Sequence, residues 1–379
     1  MPDFSAAVKT FFAACCFFHR NSLSAAHELF AALVGLRYIL ISPSQPQLCP
    51  AMQLYTDLQE ITRPFHRPVV TIGNFDGVHI GHQLLFREVA LRARRIGGAS
   101  VAITFNPHPL KVLRPDGIPL ISCINQKIEL IRMAGVDALI IIPFSRQFAQ
   151  TTAVDFVEKI LCGLIDVHEL VVGYDYAFGR GREGNIDFLR QQGEERGFPV
   201  TVVEAHYEDG QPVSSTRIRH LVMEGRMEEA CRLLGRCYHI HGTVQRGQQR
   251  GRQLGFPTAN LHLSAEDLCP KKGVYVTQVL CGGKMYGSIT NIGRNPTFGG
   301  GELVAETHIF DFNTDIYDQP IQLNLLRHLR GEIKFGSADE LAAQIRKDVA
   351  TARHVLSNAA EERLLTCEER FARQMLVDA

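Results

Sequence analysis

The chain reads as an α/β domain built on a parallel sheet, followed by a small antiparallel six-stranded barrel with a C-terminal helix. Three observations predict this. Over residues 69–203, apolar β-branched runs alternate with helical patterns. From about residue 236, short strands punctuated by Gly and Pro replace that alternation. Over 338–374, a long amphipathic stretch closes the chain as helix.

Taken in order, 69–72 reads as a buried strand leading into a turn cluster at 73–77. A helix over 83–95 follows, with Leu84, Leu85, Val89 and Ala93 on one face, and Gly97-Gly98 ends it. Strands are expected at 100–105, 138–142, 169–172 and 200–203, with helices at 126–134, 153–163 and 186–196 between them. Such alternation implies a parallel sheet covered on both faces. Ligands of these sheets bind beyond the carboxyl ends of the strands, so the loops after 72, 105 and 172 are the places to search. Helices at 215–224 and 228–234 join this region to strands at 239–244, 274–280, 284–291, 304–310 and 320–326. The expected division is an extension over 1–51, a first domain over 52–235, a second over 236–358 and a helical tail over 359–379.

Composition bounds the function. Of 379 residues, 45% are apolar and 21% charged, which suits buried cores. Lys plus Arg and Asp plus Glu both number 40, so charge gives no support for a nucleic-acid or membrane-surface partner. Self-association is left open. The ten cysteines include no Cys-x-x-Cys and no zinc-ligand spacing, and read as reduced thiols in the cytoplasm. No run of 18 apolar residues is present to span a bilayer. Residues 1–51 hold only five charged side chains but six of the 22 phenylalanines. They are expected to be an extension outside the fold, or a misassigned start ahead of Met52.

Residues 73–82 read Gly-Asn-Phe-Asp-Gly-Val-His-Ile-Gly-His, between a strand and a helix. Gly73, Gly77 and Gly81 let backbone approach a ligand closely. The helix N-terminus favours phosphate, and His79 and His82 are spaced to face it together. Imidazole donors would stabilise charge on a pentavalent phosphorus. The plainer alternative is one capping and one packing histidine. Further on, Ser214-Ser215-Thr216-Arg217-Ile218-Arg219 sets arginines in a first helical turn, which a phosphate would relieve.

The pair of motifs resembles the adenylyltransferase superfamily, which transfers AMP from ATP and releases pyrophosphate. The full string at 73–82 is similar to the adenylyltransferase half of the prokaryotic bifunctional riboflavin kinase/FAD synthetase family. That resemblance implies a Rossmann-like nucleotidyltransferase domain. It assigns ATP to Gly73, Phe75, Asp76, Gly77, His79, His82, Ser215, Thr216 and Arg217, with His79, His82 and Arg217 catalytic. Thr104–Pro109 and Gly173–Gly179 also match, which gives Asn106, Asp175 and Phe178 to the flavin. Tyr176 stands where Phe is commoner in the family.

Gly179-Arg-Gly-Arg-Glu-Gly184 fits the dinucleotide-binding fingerprint, with Glu204 20 residues on. The first glycine comes too late after the strand, so the match reads as coincidence. An NAD(P)-linked oxidoreductase is the alternative it leaves.

Residues 247–261 form a glycine-rich basic loop, and no Walker A or protein-kinase motif occurs. Thr258 and Asn260 offer hard oxygens suited to magnesium shared with ATP. By composition alone this is a basic turn before a strand. The string Gly-Arg-Gln-Leu-Gly-Phe-Pro-Thr-Ala-Asn-Leu resembles the riboflavin kinase signature. The resemblance places ATP at Gly247, Arg252, Gly255, Pro257, Thr258 and Asn260, magnesium (Mg2+) at Thr258 and Asn260, and the base for the riboflavin hydroxyl at Glu306. Residues 291–298 and 329–335 match as well, with Asn295 and Asp318 as departures. The implied path is riboflavin plus ATP to FMN, then FMN plus ATP to FAD. A chain with one activity, or a flavin-binding regulator, are the rivals.

Overall fold

A computed structural model describes residues 52–247, 251, 254–263, 267–294 and 303–361, with side chains to 358. The first sheet takes β1 (Gln53–Tyr55), β2 (Val69–Ile72), β3 (Ser100–Asn106), β4 (Ala138–Pro143), β5 (Glu169–Gly173) and β6 (Val200–Val203) in the order β1-β4-β3-β2-β5-β6. Every pairing is parallel. The chain winds from β2 through β3 to β4, then crosses to β5 on the far side of β2. That reversal opens a crevice beyond the carboxyl end of β2. All of β2 is buried, as helices on both faces require of a central strand.

The helices are α1 (Ile80–Ile96), α2 (Pro109–Leu113), α3 (Ile124–Met133), α4 (Ala153–Asp155) and α5 (Ile186–Arg196). α1 begins at His79 as N-cap and ends at Gly97 in the left-handed conformation. The helix expected at 153–163 is α-helical only over α4 and continues as a π-helix at Phe156–Cys162, a wider turn that apolar periodicity does not distinguish. β1, of three residues, went unanticipated because so short a piece carries no period.

A hairpin of β7 (Tyr207–Glu208) and β8 (Gln211–Pro212) precedes α6 (Ser215–Glu224) and α7 (Met227–Leu234). Ser214 caps α6, and its hydroxyl accepts from Arg217 N at 3.3 Å. The second sheet orders β9 (Tyr238–Thr243), β10 (Ala259–His262), β11 (Gly273–Cys281), β12 (Lys284–Arg294), β13 (Leu303–Ile309) and β14 (Pro320–Arg330) as β10-β13-β12-β11-β14-β9. All its neighbours are antiparallel. Gln245 N donates to Asn260 O at 2.9 Å, which joins the two edge strands and nearly closes a barrel.

Inside the barrel a chain of buried hydroxyls links Ser288 to Thr277 (2.7 Å), Thr277 to Thr290 (2.8 Å) and Thr290 to Thr307 (2.9 Å). One apolar cluster runs from Ile218, Leu221 and Leu233 of the joining helices to Tyr238, Leu261 and Leu323 of the barrel. The closing helix α8 (Ala338–Glu361) packs on β11 and β12. Arg330 Nη2 meets the buried Asp348 carboxylate at 2.7 Å and ties α8 to β14. The expected continuation to 374, and residues 1–51, lie outside the described residues. Among the described residues no helix is long and apolar enough to cross a membrane.

Candidate functional site

The loop after β2 is a set of tight turns. Phe75, Gly77 and Val78 all have positive φ, at 47°, 81° and 40°. Glycine at 77 meets two demands: the left-handed backbone, and the Ile121 methyl that would lie 2.8 Å from an added Cβ. Gly73 is needed because the Phe75 ring fills the space of its missing side chain, 2.5 Å from where a Cβ would be. Packing therefore sets both glycines, and not ligand approach alone.

Phe75 is fully buried and meets His82 edge-on at 5.3 Å and Phe86 at 4.7 Å. His79 and His82 stack, with ring centroids 3.6 Å apart and planes 18° off parallel. The His79 Nδ1 accepts from His82 N at 3.4 Å, so the neutral ring carries its proton on Nε2. Burial pushes His79 down to about 3, and the charges of Arg236 and Arg219 add to the effect. His82 is held well below the usual range by burial, His79 and Lys127. Both rings are therefore neutral donors at pH 7. Among the described residues, His82 Nδ1 is buried without a hydrogen-bond partner.

Asp76 has been drawn into the fold. Its carboxylate accepts from Ile121 N at 3.1 Å and Ser122 N at 3.2 Å, and pairs with Arg219 Nη2 at 2.5 Å. Ser215 Oγ donates to Asp76 O at 2.9 Å, so the two motifs meet through this one residue. Arg217 Nη1 donates to Glu208 O at 2.9 Å and Gln211 O at 3.1 Å, anchoring the hairpin. Thr216 is exposed on the first turn of α6. Both arginines thus answer to protein partners, where sequence suggested a phosphate.

Sequence reasoning missed Lys127. Its Nζ donates to Asn74 O at 2.7 Å, and burial lowers it to about 8 despite the opposing charge of Asp76. No local pattern marks a lysine on the buried side of α3.

Beside the loop lies a cavity of about 350 Å³, lined by Asn106, His108, Lys111, Gln126, His239 and Asp267 among others. Asn106 lines it, whereas Asp175 and Phe178 do not. Asp175 is exposed. Phe178 stacks on Tyr176 at 5.5 Å and packs against Phe156 at 5.4 Å. Phe178 also explains the decoy glycines. Its ring covers Gly184, and Phe178 N and Gly184 N each donate to the other's carbonyl at 2.9 and 3.0 Å. The segment 179–184 closes on itself as a small turn rather than opening a helix to a pyrophosphate.

On the barrel, a cavity of about 390 Å³ is lined by Gly247, Pro257, Thr258, Asn260, Thr307 and Tyr317 among others. The Asn260 amide lies over Gly247, 2.4 Å from the position of an added Cβ, so a side chain at 247 would displace that amide. Asn260 Nδ2 points toward Thr258 O at 3.5 Å, and the amide oxygen is the atom left to face a cation. Gly255 has φ 84°. Pro257 O meets His308 Nδ1 at 2.9 Å. Arg252 and Asn295 lie outside the described residues. Asp318 takes φ 61° in a turn, a conformation Gly would adopt freely.

Glu306 is exposed on β13. Register sets it opposite Asn260 on one side and Asn291 on the other. Directly opposed residues share a face, so these polar side chains form a row across neighbouring strands. Glu306 does not line the 390 Å³ cavity. Among the described residues, no cluster of His, Cys, Asp or Glu is built to hold a metal alone. Neutral Thr258 and Asn260 oxygens fit a cation that takes its remaining ligands from phosphates and water.

Comparison with known proteins fits this geometry. Residues 62–217 match the FAD synthetase family model and residues 234–356 the riboflavin kinase model. A bifunctional riboflavin kinase/FMN adenylyltransferase of Escherichia coli is 38% identical over 287 residues, covering 75% of this chain and 91% of that protein. One from Pseudomonas fluorescens is 37% identical over 311 residues, covering 82% and 99%. A crystal structure from Streptococcus pneumoniae, described as a macrolide-efflux protein, superposes with TM-score 0.72 at 33% identity over 80% of this chain and 98% of that one. Both halves of the geometry and both family models lie in one chain, in one order, and the chain belongs to the bifunctional riboflavin kinase/FMN adenylyltransferase family.

Proposed function

We infer that the chain phosphorylates riboflavin with ATP to give FMN and ADP, and then transfers AMP from a second ATP to FMN, giving FAD and pyrophosphate. The observation that carries the reading is the stacked, neutral His79–His82 pair at the N-terminus of α1, on the same chain as the Thr258–Asn260 cavity. The NAD(P)-linked alternative falls with the self-closed turn at 179–184 and with family membership.

For adenylyl transfer, an FMN phosphate oxygen attacks the α-phosphorus of ATP as the bond to the bridging oxygen breaks. Negative charge grows on the α-phosphoryl oxygens and on the departing pyrophosphate. His79 offers Nε2–H and His82 a ring nitrogen to that charge. Each neutral ring has one N–H to donate. Lys127, Arg219 and Arg236 supply the positive surroundings. Gly73, Phe75, Gly77 and Asp76 hold the loop, while Ser215, Thr216 and Arg217 bound its other side. Asn106 and the 350 Å³ cavity are the flavin side of this reading. Asp175 and Phe178 support that side from the neighbouring loop.

For phosphorylation, the ribityl 5′-hydroxyl attacks the γ-phosphorus as its bond to the β,γ-bridging oxygen breaks and ADP leaves, and Glu306 accepts the hydroxyl proton. The exposed carboxylate is open to an approaching hydroxyl, as a base must be. Gly247, Arg252, Gly255 and Pro257 are the ATP side of this reading. Thr258 and Asn260 would hold magnesium, which when bound neutralises charge on the phosphates. A cytoplasmic location suits the thiols and the substrates.

The reading is tested by separating the activities. His82→Ala should stop FAD formation and leave FMN formation, and Glu306→Ala should do the reverse when FMN is supplied. Loss of both activities from either change, in folded protein, would end the two-site account.

A further inference from the structure

The loop that presents His79 passes through positive φ at three positions, two of them side-chain-bearing residues, Phe75 and Val78. A backbone of that shape persists when its surroundings hold it. Its carbonyls are held from behind. Gly77 O accepts from Arg236 Nη2 at 2.7 Å, and Val78 O accepts from Arg236 Nη1 at 3.2 Å and Gln83 Nε2 at 2.9 Å. The same two donors also reach Leu234 O, at 3.4 and 2.9 Å, where α7 ends. Arg236 is only 6% exposed, and a buried guanidinium is placed where several acceptors converge.

Arg236 follows the joining helices and lies within the stretch that matches the riboflavin kinase model. Its contacts reach back to the residues just before His79. The helix–barrel connection therefore braces a loop of the other half of the chain. We propose that Arg236 is a positioning residue for adenylyl transfer: its guanidinium fixes the carbonyls of Gly77 and Val78 and so aims the His79–His82 pair at the reacting phosphates. The adenylyltransferase site is completed from the kinase half. This inference rests on the transfer role given to the two histidines.

Arg236 also places a fixed positive charge behind His79. The other charged and titratable groups acting on the pair are Arg219 and Lys127, with Asp76 acting on Lys127 and His108 nearby in that field. Removing the charge of Arg236 lets His79 take a proton on Nδ1 at higher pH; that proton breaks the N-cap bond from His82 N, so the acid limb of the FAD-forming rate should move upward. A lysine at 236 keeps the charge and can satisfy one carbonyl of the two.

The test uses the full chain with R236M and R236K, measuring FAD formation from FMN across pH and FMN formation from riboflavin on the same preparations. R236M should lose roughly 100-fold in kcat for FAD, the scale of a small misplacement of reacting groups. Its KM for ATP should stay within about threefold, its acid limb should rise, and kinase activity should hold within about twofold. R236K should recover part of the rate and keep the original limb. R236M that keeps wild-type kcat and pH dependence would overturn the proposal. If R236M loses kinase activity too, it has misfolded, and R236K decides: a reduced FAD rate with intact kinase supports the brace, an unchanged rate refutes it. The underlying reading fails separately, if the unaltered chain makes no FAD from FMN or if H82A still makes it.

Discussion

The two sites of this chain are built in opposite ways. The nucleotidyl-transfer loop is continuous in sequence, buried and braced. Its histidines stack on each other, Phe75 packs beneath them, and Asp76 and Arg236 secure the turns around them. The kinase row is assembled from three strands by register, with Glu306 exposed opposite Asn260 and Asn291. Each site is vulnerable in a different place. In the first, chemistry and stability share residues, because charge and strain are stored under the loop. In the second, the carboxylate proposed as base carries little of the fold.

The comparison breaks most visibly at Glu306. Glu306→Ala should lower FMN formation by about 10²–10⁴, the range for a positioned base, with no loss of stability in a urea titration. His82→Ala should lower FAD formation by about 10²–10³, and melting should shift as well, because His82 packs on Phe75. An altered melting temperature in Glu306→Ala, or none in His82→Ala, would erase the contrast. Asp76→Asn leaves Arg219 without its buried partner, and should cost about 3–5 kcal/mol by chemical denaturation.

Acid should act on the first site before the second. His79 and His108 sit at about 3 and 4 in the folded chain against 6.5 when unfolded. Below 6.5 the unfolded state takes protons that the native state refuses, so stability falls as pH drops. By pH 5 each histidine should have cost about 2 kcal/mol, read from denaturation at pH 7 and pH 5. The smallest effect is expected inside the barrel. Thr290→Val removes one link of the hydroxyl chain; Thr277 keeps Ser288 and Thr307 is left without its partner, at roughly 1 kcal/mol in unfolding free energy.

Much of this architecture is legible in the residues themselves. α6 and β6 could be read to the residue, since caps and apolar period mark them. β1 escaped because a strand of three residues carries too little pattern, and β10 because most of its residues belong to the string read as a glycine-rich loop over 247–261. The π-helix escaped because apolar spacing does not report its hydrogen bonds. In the site, types and order were readable, but partners were not. Asp76 looks like a ligand contact from its neighbours in sequence. Its real partners lie 45, 46 and 143 residues away. Lys127 and Arg236 carry no local signal at all, because their roles exist only once α3 and the end of α7 pack behind the loop. The glycines at 73 and 77 were found for the right position and for an incomplete reason, since only coordinates show the rings and methyls that exclude a Cβ.

The most direct measurement is a time course. The purified chain is incubated with riboflavin, ATP and magnesium, and the flavins are separated by chromatography. The account predicts FMN rising first and FAD following, from one polypeptide. No new flavin from riboflavin, and none from FMN supplied directly, would contradict it.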